Sequence, residues 1–273
     1  MKINNALSQL LEINGVSDVL LQGADHTFIF DGNWKQVANP FRDEAKLRQQ
    51  IIDLVLATGK RWDIARPHVD FSIENFRFHA LMGGVVSLHD QLSIRIHKTD
   101  LDFQLAPKLE LIAKSNESFL ISGPTGSGKT TLLAKMLKAS PGRTVLIEQT
   151  AEIELPPPSA SIRSRESNIE LAGELTMSEL LNQALRMRPD RVVIGEIRGK
   201  EALALLLAIN NGHKGAAATI HAQTAKAVPN RLRTLGLMAG VAGELMLDLA
   251  GSIDWLIHVD NTELQGIYRW QDL

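Results

Sequence analysis

The sequence contains no cysteine. This absence excludes disulfide bonds and cysteine-ligated zinc sites, and it fits a reducing compartment. The sequence also lacks a surplus of charge of either sign, because 29 Lys and Arg residues face 31 Asp and Glu residues, for a net charge of -2. Nucleic-acid and anionic membrane partners usually require a clear basic surplus. We therefore expect no direct nucleic-acid partner.

Long apolar segments are missing as well. No apolar run approaches the roughly 20 residues that a bilayer-spanning helix needs. The first residues, Met1 to Asn5, lack the apolar core of a signal peptide. We therefore expect a cytoplasmic protein, and 273 residues leave room for two domains.

The most informative segment that is present is a glycine-rich stretch of nine residues. A short apolar run, 119–121, precedes it, and a segment with one apolar helical face, 132–137, follows it. Strand, glycine-rich loop, Gly-Lys-Thr and helix form the context of a phosphate-binding P-loop. The predicted nucleotide-binding residues are Gly123, Pro124, Thr125, Gly126, Ser127, Gly128, Lys129, Thr130 and Thr131.

The chemistry of this segment follows from its residue types. Glycines let successive backbone N–H groups point inward at an anion, and a helix N-terminus adds the positive end of its dipole. We expect Lys129 to reach the β- and γ-phosphates and the Thr130 hydroxyl to coordinate Mg²⁺. The predicted ligands are therefore ATP and Mg²⁺.

A second candidate segment is the apolar stretch 191–194, which ends in Gly195 and Glu196. A Walker B element likewise ends a buried strand with a carboxylate near Mg²⁺. Glycine occupies the usual Asp position, so we expect Glu196 to act, through a metal-bound water. The alternative is an ordinary strand followed by an exposed glutamate, and the P-loop favours the functional interpretation.

Two further strand ends carry polar residues. The strand 145–147 is followed by Glu148 and Glu152, and either carboxylate is available to orient or deprotonate the attacking water. We expect this strand to lie next to the P-loop strand. His221 ends the last apolar strand and could sense the γ-phosphate, although a lone histidine is more often structural.

The pattern of apolar residues predicts two domains, an α+β domain at 1–98 and an α/β domain at 107–273, joined by a linker at 99–106. The first has an antiparallel sheet, with helices at 5–13 and 42–58 and apolar segments at 19–21, 28–30, 34–37, 69–73, 76–81, 85–88 and 92–96. The second has a mainly parallel sheet. Its predicted strands lie at 118–121, 143–147, 191–194 and 215–220, and its predicted helices at 129–139, 177–187, 200–210 and 225–238.

Together, the four candidate segments resemble the Walker A, Asp, Walker B and His boxes of the traffic ATPases of type II and type IV secretion and type IV pili. The segments 184–190, 211–215 and 92–95 also resemble that family, and the likeness is strongest over 92–235. It looks closest to the tight-adherence pilus and conjugative secretion branch. Pilus-assembly members usually hold a tetracysteine zinc subdomain, which a chain without cysteine cannot form.

The resemblance implies a role for particular residues of this chain. Glu152 matches the general base, Glu196 the Walker B glutamate, and His221 the histidine near the γ-phosphate. Arg95 matches an arginine that reaches the nucleotide phosphates. Further candidates for phosphate or subunit contacts are Arg163, Arg165, Arg188 and Arg198, each of which also has an interpretation as an ordinary surface arginine.

The resemblance further implies a RecA-like P-loop ATPase that forms a homohexameric ring and works with an inner-membrane platform protein, to which it would be peripheral. Gln149 replaces an acid of the family pattern, which keeps open a nucleotide-dependent regulator or scaffold with little turnover. A RecA-like DNA motor is a second alternative, which the missing basic surplus disfavours.

Overall fold

The computed structural model describes residues 5–41, 43–96, 105–165 and 173–273, with the side chains of Asn5 and Ala6 excepted. The chain divides into two compact units, Met1–Asp100 and Leu101–Leu273. The predicted linker at 99–106 lies almost wholly outside the described residues. No helix within the described ranges combines the length and the hydropathy of a bilayer-crossing segment.

Unit 1 is an antiparallel sheet of six strands with two helices. The strand order is β3-β2-β1-β6-β5-β4, and every neighbouring pair is antiparallel. The elements are α1 (Asn5–Leu11), β1 (Asp18–Gln22), β2 (His26–Phe30), β3 (Trp34–Val37), α2 (Glu44–Ala57), β4 (His68–Ile73), β5 (Phe76–Leu81) and β6 (Gln91–Ile96).

Helix α2 covers the apolar face of this sheet. Leu47, Ile51 and Leu54 share one helical face and join a core with alternate strand residues such as Phe78 and Ile94. The Asp43 side chain caps the helix by accepting a hydrogen bond from the backbone N–H of Lys46 (2.8 Å). The predicted helix and antiparallel sheet are therefore confirmed.

One predicted apolar segment of unit 1, 85–88, is not a strand. Gly84 donates its backbone N–H to the Ser87 carbonyl (2.8 Å), with a positive φ of 78° at Gly84, so the chain turns here. Val85 and Val86 are exposed in this turn. The Gly83-Gly84 pair therefore determined the conformation, and the two valines did not.

Unit 2 is a seven-stranded sheet in the order β13-β12-β7-β11-β10-β8-β9, and all its pairs are parallel except β12–β13. Its strands are β7 (Phe119–Gly123), β8 (Thr144–Glu148), β9 (Ala160–Arg163), β10 (Arg191–Ile197), β11 (Ala217–His221), β12 (Trp255–Asp260) and β13 (Glu263–Arg269). Its helices are α3 (Pro107–Lys114), α4 (Lys129–Ala139), α5 (Met177–Leu185), α6 (Glu201–Asn210), α7 (Val228–Met238) and α8 (Gly243–Ala250).

Helices cover both faces of this sheet, and the central strands are therefore buried on both sides. Successive residues of one strand enter different cores: Ile121 packs with residues of α3 and α4, whereas Leu120 packs with residues of α5 to α8. A capping box begins α5, since Thr176 and Glu179 accept each other's backbone N–H groups.

The predicted position of β8 beside the P-loop strand is wrong. Strands β11 and β10 lie between β7 and β8. After α4, the chain passes over the positions of two strands before it forms β8. Those positions are occupied by β11 and β10, which come later in the sequence. Strand order depends on such long connections, which the local residue pattern does not specify.

Candidate functional site

The P-loop joins the end of β7 to the start of α4, as predicted. Gly126 and Gly128 have positive φ angles of 77° and 86°, and Gly128 directly precedes the helix. Gly123 is required for another reason. A Cβ atom at this position would collide with the carbonyl oxygen of Val259 on β12. The glycines thus allow both the turn of the loop and its close packing against the sheet.

Lys129 is buried at the first position of α4, with 9% of its surface exposed. Its Nζ donates to the carbonyl oxygens of Gly123 (2.9 Å) and Pro124 (2.5 Å). Burial lowers the pKa of Lys129, and the nearby charge of Glu196 partly opposes that effect. Two neutral carbonyl oxygens therefore hold the ammonium group at the mouth of the loop.

Glu196 lies near the end of β10 and is paired with Arg198. The Arg198 guanidinium donates to Glu196 Oε2 at 2.5 Å. This hydrogen bond raises the pKa of Arg198, and the charges of Glu152 and Glu201 add to the effect. Glu201 also accepts the backbone N–H groups of Arg198 (2.5 Å) and Gly199 (2.7 Å). The guanidinium therefore lies among three carboxylates.

Glu148, at the end of β8, is only 4% exposed. Its Oε1 accepts the backbone N–H groups of Glu152 (3.1 Å) and Ile153 (3.2 Å). Burial raises the pKa of Glu148 to about 7, against the opposing effect of these hydrogen bonds. Glu152 itself is exposed. The two candidate bases thus differ: Glu148 is buried and holds the segment that carries Glu152.

Gly195 packs against Glu148. A Cβ atom at position 195 would lie 3.1 Å from Glu148 Cγ. The Thr219 hydroxyl donates to the Gly195 carbonyl at 2.6 Å, which links β10 to β11. The glycine at the usual Walker B aspartate position therefore leaves room for a carboxylate from the neighbouring strand.

The strand register brings the candidate segments to one edge of the sheet. Ile147 pairs with Ile194 between β8 and β10, and Ile197 pairs with Ile220 between β10 and β11. On the other side of β11, His221 pairs directly with Gly123. Glu148, Glu196, His221 and the P-loop are therefore level with one another at the carboxyl edge of the sheet.

The five candidate arginines lie in different places. Arg198 is beside Glu196, and Arg163 is exposed at the end of β9, in register with Glu148. Arg165 donates through Nε to the Gly173 carbonyl (2.6 Å). In unit 1, Arg95 pairs with Asp18 (3.0 Å). For these residues the predicted phosphate or subunit contacts stay predictions.

Arg188 lies at the opposite edge from the P-loop. It is exposed in the loop before β10, with a positive φ of 53°. The strands are parallel, so the amino end of β10 is remote from the carboxyl end of β7. Arg188 is therefore too far from the P-loop of its own chain to contact the phosphates there. The contact with another subunit stays the prediction for Arg188.

The amino edge also contains a cavity of about 520 Å³. Lys114, Asp190, Arg191 and His213 are among its lining residues. Of the predicted site residues, none lines it. The cavity and the P-loop therefore belong to opposite edges of the same sheet.

Sequence reasoning missed one buried polar residue at the carboxyl edge. His258 on β12 is 6% exposed, and its Nδ1 lies 2.9 Å from the hydroxyl of Ser122 on β7. The segment 255–260 contains a short apolar run that could have indicated a strand. Nothing local indicated that this strand borders the P-loop.

Known proteins match this chain over most of its length. A family described as type II/IV secretion system protein matches residues 87–259. A putative conjugal transfer protein of Mycobacterium tuberculosis is 37% identical over 277 residues, covering 93% of this chain and 79% of that protein. The type IV secretion system protein VirB11 of Bartonella quintana is 33% identical over 162 residues, covering 57% of this chain and 46% of that protein.

Solved structures share the fold. The VirB11 ATPase of the Brucella suis type IV secretion system, in complex with sulphate, has a TM-score of 0.52 at 20% identity, covering 97% of this chain and 95% of that chain. The pilus retraction motor PilT with bound ADP has a TM-score of 0.63 at 20% identity, covering 94% and 78%. These matches confirm the predicted P-loop α/β fold, and the family match confirms the predicted resemblance. The chain belongs to the type II/IV secretion system protein family.

Proposed function

We propose that this protein is a Mg²⁺-dependent ATPase that drives a bacterial secretion, conjugation or pilus machine. One observation carries the proposal: the P-loop, Glu148, Glu196 and His221 lie at the same edge of the sheet, on four neighbouring parallel strands. Among its relatives are proteins named for conjugal transfer and type IV secretion. A nucleotide bound at the P-loop would meet acidic and imidazole groups beside its terminal phosphate.

The loop and Lys129 would bind the triphosphate. Backbone N–H groups around Gly126 and Gly128 and the start of α4 supply positive partial charge without a counter-ion. The Lys129 ammonium group would exchange its two carbonyl acceptors for phosphate oxygens, which carry full charge. This exchange favours an anionic ligand over a neutral one.

The residues present fit Mg²⁺ held chiefly by phosphates and water. Thr130 lies in the first turn of α4, and Glu196 is close enough to influence the Lys129 charge. No cluster of three or more His, Asp or Glu side chains that could cage a metal occurs among the described residues. Mg²⁺ in phosphate sites usually takes few protein ligands and supplies neutralisation of phosphate charge.

Glu152 would act as the general base. It is exposed, and its backbone N–H is fixed by Glu148. A general base works best when it is in its ionised form and has a pKa near the working pH. Burial raises the pKa of Glu148 to about 7, but its Oε1 already accepts two backbone N–H groups. Glu152 therefore remains the better candidate for contact with the attacking water, with Glu148 as its support.

His221 and Arg198 would respond to the terminal phosphate. His221 pairs in register with Gly123 at the start of the loop. Arg198 contacts Glu196. When a nucleotide binds, the γ-phosphate would compete with Glu196 for the Arg198 guanidinium. These contacts give the site a means to report whether the γ-phosphate is present.

At the level of assembly, we propose a cytoplasmic homohexamer that contacts an inner-membrane platform protein and binds no nucleic acid directly. Hydrolysis would change the orientation of the two units through the predicted linker at 99–106. The net charge of -2 supports the absence of a nucleic-acid partner.

Phosphate release by the purified protein tests the proposed activity. We expect steady release with ATP and Mg²⁺, and its loss when EDTA removes the metal ion. Binding of a fluorescent ATP analogue without release would favour the regulator or scaffold. Stimulation of release by DNA, together with salt-sensitive DNA binding, would favour a DNA motor.

A further inference from the structure

His258 connects three parts of the carboxyl edge. Its strand, β12, pairs with the P-loop strand, and His258 lies directly opposite Ser122. The ring Nδ1 is 2.9 Å from the Ser122 hydroxyl, and both side chains are buried. The main chain of Gln223, two residues after His221, lies close enough to the ring to raise the pKa of His258. One buried side chain therefore lies between the P-loop strand and the segment that carries His221.

Neighbouring contacts strengthen this connection. The backbone N–H of Ala222 donates to the Gly123 carbonyl (3.3 Å), which also accepts Lys129 Nζ (2.9 Å). The Val259 carbonyl packs so closely on Gly123 that only glycine fits there. The end of β12, the start of the P-loop and the segment 221–223 thus form one packed unit around the Lys129 ammonium group.

The imidazole of His258 is suited to this place because it offers two polar atoms at fixed separation on a rigid ring. Burial lowers the pKa of His258, and the charge of Asp260 and the main chain of Gln223 oppose that effect. An aliphatic side chain would remove the imidazole partner of the Ser122 hydroxyl, which would keep the Ile257 carbonyl (3.3 Å) as its acceptor. It would also remove the polar ring beside Gln223.

We propose that His258 is a positioning residue of the nucleotide site: through Ser122 and Gln223 it fixes His221 relative to the P-loop. The expected effect of His258 on ATP turnover rests on the proposed ATPase function. The connection between the P-loop strand and the segment 221–223 can be tested without turnover. His258 does not itself contact the nucleotide in this account. It acts by keeping two binding segments at a constant separation.

Three variants separate this role from general stability. His258→Ala removes both contacts, and His258→Asn retains a polar atom near the position of Nδ1. Trp255→Phe is the matched control. Trp255 lies on the same strand and pairs with Phe119 at the far end of β7. The substitution removes the Nε1 hydrogen bond to Glu117 (2.8 Å) and keeps an aromatic ring beside Lys108 and Arg269.

Hydrogen–deuterium exchange without nucleotide gives the first measurement. We expect faster exchange in peptides covering 219–225 in His258→Ala, an intermediate rate in His258→Asn, and the wild-type rate in Trp255→Phe. Equal exchange in wild type and His258→Ala would overturn the proposal, and so would an equal increase in Trp255→Phe. If His258→Ala does not fold, the comparison of His258→Asn with Trp255→Phe decides in the same way.

ATP turnover gives the second measurement. We expect kcat/KM to fall about tenfold in His258→Ala, with partial recovery in His258→Asn, because misplacement of a binding segment weakens transition-state contacts. Trp255→Phe should match the wild type. A wild-type protein without turnover would reject the ATPase function while the exchange experiment still tested the connection. Normal turnover in His258→Ala would reject the positioning role alone.

Discussion

Two buried cations lie at opposite edges of the seven-stranded sheet, and their surroundings differ in a way that separates function from stability. Lys129, at the carboxyl edge, donates to two carbonyl oxygens and lies near Glu196. Arg191, at the amino edge, donates to four carbonyl oxygens, with Gly215 (2.6 Å) and Ser115 (2.7 Å) the nearest, and its guanidinium lies over the Phe119 ring.

The two buried cations differ in how completely the main chain satisfies their hydrogen-bond donors. Arg191 has nearly all its donors engaged by the main chain, and burial lowers its pKa only to about 10, so it remains charged at neutral pH. Lys129 has fewer acceptors and lies at the start of a helix, where anions are favoured. We conclude that Arg191 stabilises the packing at the amino edge, whereas Lys129 can change partners when an anion binds.

Loss of the Lys129 charge should have the largest effect. Lys129→Ala should reduce kcat/KM for ATP about 1,000-fold, because the loop then offers the phosphates no side-chain charge. Steady-state phosphate release measures this change. Lys138→Ala, at an exposed position of the same helix, is the control and should behave as wild type. Similar activity in the two variants would remove Lys129 from the site.

Replacement of the opposite cation should affect folding and leave turnover intact. Arg191→Met leaves four carbonyl oxygens without this donor, and we expect the free energy of unfolding to fall by about 3 kcal/mol. Urea unfolding measures this loss, with the exposed Arg186→Ala as control. Turnover per folded molecule should stay within about twofold of wild type. A selective loss of turnover would mean that the two edges are not separate in function.

Removal of the proposed base should affect chemistry more than binding. Glu152→Gln should lower kcat about 100-fold, whereas the affinity for a fluorescent ATP analogue should change little, since only proton acceptance is lost. Glu154→Gln provides an exposed control two residues further on. Equal losses of binding and turnover in Glu152→Gln would contradict its role as base.

The buried carboxyl group of Glu148 should give the smallest effect. Its pKa is raised from 4.5 to about 7 in the folded protein, so protonation stabilises the fold and stability falls as the pH rises from 4.5 to 7. Glu148→Gln should flatten this dependence by about 2 kcal/mol between pH 5 and pH 8. Urea unfolding at both pH values measures it, and parallel profiles for wild type and variant would refute the assignment.

These contrasts also show what the sequence could and could not specify. The P-loop, the strand before Glu196 and the helix α5 with its capping box are local patterns, and each was predictable. The order of strands, the packing of Val259 on Gly123 and the Arg191 cluster involve residues up to 136 positions apart. Because those contacts are set by tertiary packing, the positions of β8 and His258 could not be read from local periodicity.

A crystal structure with Mg²⁺ and a non-hydrolysable ATP analogue tests the central claim most directly. We predict that Lys129 Nζ leaves the Gly123 and Pro124 carbonyls and contacts the β- and γ-phosphates, while Arg191 keeps its carbonyl partners. A triphosphate bound in the amino-edge cavity, or a Lys129 that retains both carbonyls with the nucleotide bound, would contradict the account.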